Sequence, residues 1–171
     1  MGEAEFGLVE GVLSTRAAWL EKHEVVEVEF DPEVVKYADL LKHAREHDCA
    51  TVVYTRSDDQ QKEAEAAVGK KALRSDKAVT PDKEPKYYLG KTHLKFVPMT
   101  EMQAMRVCGY LGKQRKDWNT LLSPSQLKLL EAVKAKPDAG WKDAIGKPLL
   151  EAWQAAQATA AGKKTEQEDE F

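Results

Sequence analysis

The chain has 171 residues, with 26 Lys and Arg against 29 Asp and Glu, a formal net charge of −3 and 42% hydrophobic residues. That length suits one domain with a sizeable core, and the interspersed, nearly balanced charges argue against a nucleic-acid or anionic-membrane partner. No apolar run approaches the roughly 18 residues that cross a bilayer, and the opening residues lack the basic and apolar regions of a signal peptide, so a cytoplasmic monomer is expected.

In chain order, Glu3 to Leu8 reads as a short helix closed by Gly11, and Val12 to Leu20 as a strand. Val25 to Phe30 is the next strand, with Val26, Val28 and Phe30 on one side and Val25, Glu27 and Glu29 on the other. Lys22-His23 suits a tight connection, so the two strands are expected to pair as a hairpin. Asp31-Pro32 stops the second strand, and Asp31 is placed to cap a helix over Val34 to Arg45. Cys49 to Thr55 is a third strand, rich in β-branched residues. Ser57-Asp58-Asp59-Gln60 gives an N-cap and acidic first turn to a helix running to about Leu73. Residues 75–86 form a polar linker, and Lys86 to Val97 is read as an edge strand. Thr100 to Leu111 is an amphipathic helix, and Ser123-Pro124 caps another ending near Ala135. This order predicts an α+β fold: a two-layer sandwich, mainly an antiparallel sheet with helices on one face. The expected division is a core over 1–75, a helical extension over 76–155 in which Trp118, Trp141 and Trp153 pin a peripheral layer, and a disordered tail over 156–171.

Few residues invite chemistry. Cys49 and Cys108 are too few for a disulfide scaffold or a CxxC-type zinc site. Of the four His, only His43 and His47 stand i,i+4 on one helix; no metal and no bound cofactor is expected. Glu24, at the mouth of the second strand, is either an ordinary hydrated carboxylate or a general acid whose pKa burial raises. Cys49 is either a small buried hydrophobe or a working thiol with a positive field from His23, His47 or Lys22. Cys108 falls in a helix stripe with Met102, Met105 and Leu111 and reads as core.

The stretch Lys22-His23-Glu24-Val25-Val26-Glu27-Val28-Glu29-Phe30-Asp31-Pro32 resembles the Gly-His-Ala-Glu-x-Val-x-Val-x-Tyr-Asp-Pro segment of the A-type peptide methionine-S-sulfoxide reductases. The resemblance covers roughly residues 2–68. Glu3 matches the Glu of that family's Gly-Cys-Phe-Trp-x-x-Glu signature, and Gly11-Val12-Leu13-Ser14-Thr15 its Gly-Val-x-x-Thr. Ala17-Ala18-Trp19 is similar to its Gly-Tyr segment. Tyr37 with Leu40-Leu41, and Val53-Tyr54-Thr55 with Asp59-Gln60, continue the pattern in order. Two departures stand out: the Cys-Phe-Trp triplet would fall immediately ahead of Met1, and the loop that carries the family's substrate-orienting Asp and Tyr is deleted between Asp48 and Cys49.

The resemblance implies a ferredoxin-like core and reduction of methionine sulfoxide, free or in peptides. Glu24 would be the general acid that protonates the departing sulfoxide oxygen, and Cys49 the resolving or surrogate thiol. Trp19, Phe6 and Tyr54 would form the apolar cup for the substrate methyl, with Asp48 standing in for the lost orienting residue. A thioredoxin-like or dithiol reductant would reopen the resulting disulfide. The alternative is a catalytically inactive domain of the same fold that binds an apolar or Met-containing peptide.

Overall fold

The computed structural model describes residues 2–162. Its first helix, α1 (Gly2–Phe6), is one turn long and buries Glu3, Ala4, Glu5 and Phe6. Strands β1 (Val12–Leu20) and β2 (His23–Phe30) form the expected antiparallel hairpin, joined at Glu21-Lys22 with Glu21 in the left-handed region. Directly opposed residues share a face. Arg16 pairs with Glu27, and the Ser14 hydroxyl donates to Glu29 at 3.1 Å, on the outer face. Val26, Val28 and Phe30 lie partly buried against the core on the other.

Asp31 does not cap the next helix. Its carboxylate accepts the Glu33 N–H at 2.9 Å and its carbonyl accepts from Val34 and Val35, a local turn that delays α2 to Tyr37–Glu46. The third strand is likewise shorter than expected: β3 is Val53–Thr55, and Cys49 belongs to the preceding loop. Helix α3 (Asp58–Val68) starts at the expected Ser57 cap, whose hydroxyl accepts the Gln60 N–H. It stops at Gly69, which takes φ 60°, so Ala72 and Leu73 do not continue the helix. They form β4 (Ala72–Arg74), parallel to β3 with Val53 opposite Ala72.

Within the segment read as linker, β5 (Thr80–Pro81) pairs with β1, giving a three-stranded antiparallel sheet in the order β2-β1-β5 beside the separate β3-β4 pair. The expected edge strand after residue 86 is instead α4 (Tyr87–Gly90) followed by a 3-10 turn at His93–Phe96. Helices α5 (Glu101–Gly112) and α6 (Pro124–Ala135) follow, both opened by full capping boxes from Thr100 and Ser123. A final helix α7 (Leu149–Ala160) reaches into the start of the predicted tail, of which residues 163–171 lie outside the described residues. No helix among the described residues is long and apolar enough to cross a membrane.

The apolar interior falls into two main clusters. One joins Phe6, Val12, Leu40, Ala44 and Met105; the other gathers residues of α4 to α7 around Trp141, which is 1% exposed. Trp141 is therefore the centre of a second core, whereas the sequence suggested a peripheral pin. Between the two, α1 lies on α5 so closely that a Cβ added at Gly112 would stand 2.6 Å from the Ala4 Cβ.

Three long-range clasps fasten this junction. Arg106 donates to the carbonyls of Gly7, Val9 and Val12 at 2.8, 2.9 and 3.3 Å. The Lys113 ammonium sits 2.6 Å from Glu5 Oε2. Lys86 donates through its ammonium to Glu3 Oε1 at 2.9 Å and through its backbone N–H to Glu3 Oε2 at 2.7 Å.

Candidate functional site

An open concavity of about 1280 Å³ runs from the hairpin past α1 to the end of α2, and Gly2, Phe6, Glu24, Asp48, Cys49 and Tyr54 are among the residues lining it. The approach of α1 to the sheet depends on Gly2, because a Cβ there would stand 2.8 Å from Val26 Cγ1. Val26 shares its strand face with Glu24, so the N-terminal end of α1 sits one same-face position from that carboxylate.

Glu24 is exposed, the hydrated one of its two alternatives, and is not enclosed in an apolar pocket. It stands near the hairpin turn opposite Trp19, and Trp19 does not fold over it. Instead the indole N–H donates to Asp82 Oδ2 at 2.8 Å, beside β5, and the side chain is 45% exposed. Backbone N–H groups, Glu84 first, and then the Trp19 indole hold the Asp82 carboxyl below its usual pKa. Trp19 is not among the lining residues of the concavity.

Phe6 is buried in the core with its ring 5.4 Å from that of His43. Tyr54 is half-buried, its Oη 2.8 Å from His23 Nδ1, which ties β3 to the start of β2. The three aromatics thus do not close into one cup: Phe6 packs inward, Tyr54 lines the rim and Trp19 faces β5.

Asp48 and Cys49 are set by how α2 ends. The Cys49 N–H bonds to the Ala44 carbonyl at 2.7 Å and the Asp48 N–H to that of Arg45 at 3.4 Å, with Asp48 at φ 55°. This is a Schellman stop with an Asp in the left-handed position that usually holds glycine. Asp48 is exposed, and its first role is to end the helix. Cys49 packs partly buried against the cluster containing Phe6, and its thiol donates to the His47 carbonyl at 3.3 Å. Burial, and next the Glu5 carboxylate, push the Cys49 thiol above its ordinary pKa, so it is not an activated thiolate. Cys108 is 1% exposed in the second core, as expected, and its thiol is also raised, chiefly by burial.

Beside Cys49 lies a polar cluster that the sequence indicated only in half. His43 and His47 present their rings on one face of α2 with centroids 4.4 Å apart. Glu5 of α1 meets them: its Oε2 is 3.4 Å from His47 Nδ1, and its backbone carbonyl is 3.3 Å from His43 Nε2. The Glu5 side chain is 10% exposed and also receives Lys113. Desolvation, and then proximity to His47, lower the pKa of His43, favouring its neutral form. The i,i+4 spacing of the His pair was visible in the sequence. Glu5 and Lys113, separated by 108 positions, carried no local signal. No protein-family model and no curated protein matches the chain.

Proposed function

We propose that the chain is a peptide-methionine (S)-S-oxide reductase-like protein. The reading includes a two-layer α+β sandwich with a ferredoxin-like core, acting in the cytoplasm as a monomer on free or peptide-bound methionine sulfoxide. The observation that carries it is the shared concavity: Glu24, Cys49, Tyr54, Phe6 and the start of α1 all line one open hollow. Burial, which raises the Cys49 thiol, argues against it as the attacking group and leaves it the resolving role.

In this scheme a thiolate attacks the sulfoxide sulfur while Glu24 donates a proton to its oxygen, leaving methionine and a sulfenic acid. Cys49 condenses with that sulfenic acid, forming the S–S bond and releasing water. A thioredoxin-type dithiol then reduces the disulfide and is itself oxidised. The resemblance sets the family's attacking Cys immediately ahead of Met1. The test therefore compares the chain as given with one carrying Cys-Phe-Trp ahead of Met1, each presented with methionine-(S)-sulfoxide in a single turnover. The expected result is about one equivalent of methionine from the extended chain, loss of product with Glu24→Gln, and full single-turnover yield but failed recycling with Cys49→Ser. No product from the extended chain overturns the reading.

The exposure of Glu24 favours a second reading, a peptide-binding domain of the same fold with no chemistry. Saturable binding of an unoxidised Met peptide, without product from either chain, is its signature.

A further inference from the structure

We infer that Glu5, His43 and His47 form a binding site for a divalent transition-metal ion of the zinc class. One carboxylate oxygen and one ring nitrogen from each histidine lie within 4.8 Å of one another. These are the donors that zinc, cobalt and nickel take, and two imidazoles with one carboxylate leave a coordination position open for water.

The two rings stand about one turn apart, His43 within α2 and His47 at its C-terminal cap, with centroids 4.4 Å apart. A tetrahedral zinc with bonds of about 2.0–2.1 Å sets its donors roughly 3.3 Å apart, so closing the site requires movements of about 1.5 Å, within the reach of side-chain rotation. The carboxylate end is anionic and enclosed: the Glu5 side chain is 10% exposed, and its Oε2 is held by ion pairing, with the Lys113 ammonium 2.6 Å and His47 Nδ1 3.4 Å away. A buried carboxylate of this kind needs a positive partner, and a metal ion is one.

Lys113 is the competitor. Its ammonium holds the position from which a cation would reach the carboxylate, and its side chain is 37% exposed, free to swing into solvent. Metal and lysine therefore exclude one another at Oε2, and Lys113 weakens the site without contributing a donor. Cys49 lies beside the cluster, but its sulfur is not one of the three donor atoms.

The experiment is a titration of tag-free full-length protein with Co²⁺, followed by its visible spectrum and displaced by Zn²⁺, together with calorimetry of Zn²⁺ binding. One metal per chain is expected, with an intense tetrahedral cobalt spectrum. Loss of even an outer-shell partner costs roughly 10–100-fold in metal affinity, so His43→Ala and His47→Ala should each weaken binding at least about tenfold. Lys113→Met, which keeps every donor, should tighten it by a similar factor. Should the histidine variants fail to fold, zinc X-ray absorption of the wild-type protein decides, with two imidazole scatterers expected. Absence of 1:1 binding, a sulfur scatterer at zinc, or affinity that Lys113→Met leaves unchanged overturns the site. No sulfoxide is present in these measurements, so their outcome is separate from that of the reductase reading.

Discussion

The clasp between Glu3 and Lys86 offers the most demanding test of how α1 is held at the mouth of the concavity. The two side chains are 8% and 14% exposed, and the ammonium also donates to the Thr15 carbonyl inside the sheet. Unit charges 2.9 Å apart attract by about 6 kcal/mol at an effective dielectric of about 20. Desolvation of both groups offsets most of that, so the intact pair is close to neutral in its net effect. Removing one partner is different, because the survivor remains buried and uncompensated, a loss of about 3–5 kcal/mol. Glu3→Gln keeps an acceptor for the Lys86 backbone N–H while deleting the charge; Lys86→Met deletes only the ammonium. At about 2–4 °C per kcal/mol for a chain of this size, each single variant should lower Tm by about 6–20 °C. The double variant should be more stable than either single one, since no charge is stranded. Urea unfolding of all four proteins gives the cycle. Single losses under about 1 kcal/mol, or a double loss equal to their sum, would refute this account.

Three further outcomes follow from the same geometry. Asp48→Gly should stabilise the protein by about 0.5–1 kcal/mol in urea unfolding, because it relieves a left-handed φ of 55° and removes an anion from the carbonyl end of α2. An unchanged midpoint would deny that the Schellman stop is strained. Cys49 alkylation, followed by peptide mass spectrometry, should rise with a midpoint above the ordinary thiol value of about 8.5, and Glu5→Gln should move that midpoint down. The sign carries into stability. A thiol pKa raised in the folded state means its contribution is complete below the unfolded value and is lost as pH rises through the folded one. Arg106→Leu should cost about 2–4 kcal/mol, as three carbonyls lose a charged donor together; a loss below about 1 kcal/mol would contradict that.

Local signals carried the hairpin, through its short turn, and the Ser57 and Ser123 caps, because at each cap the decisive hydrogen bonds join residues within a few positions of one another. Ser57 with Gln60 and Ser123 with Gln126 are such pairs. Errors arose where backbone interruptions overrode apolar pattern. Gly69 turned an apparent helix into a strand, and Asp31 spent its caps on a turn ahead of α2. The loop expected to be featureless supplied β5, whose pairing with β1 is long-range and leaves no periodic trace in two residues. Among the candidate residues, sequence order was enough to choose five that share a hollow, left the hydration of Glu24 open, and misplaced Trp19. The direction of the Trp19 indole depends on Asp82, 63 positions later. Glu5 was passed over for the same reason, being a carboxylate in a one-turn helix whose partners come from α2 and α5.

The clasps on α1 also bear on the order in which the protein can be made. Helix α1 is five residues long, far too short to persist alone, and its two buried carboxylates are neutralised by lysines 83 and 108 positions later. On a ribosome adding about 5–20 residues each second, α1 waits about 5–20 s before Lys113 is synthesised. Until then its acidic side chains are better hydrated than enclosed, and the greasy side of the newborn hairpin has no lid. Cutting the gene after residue 75 would make that waiting permanent.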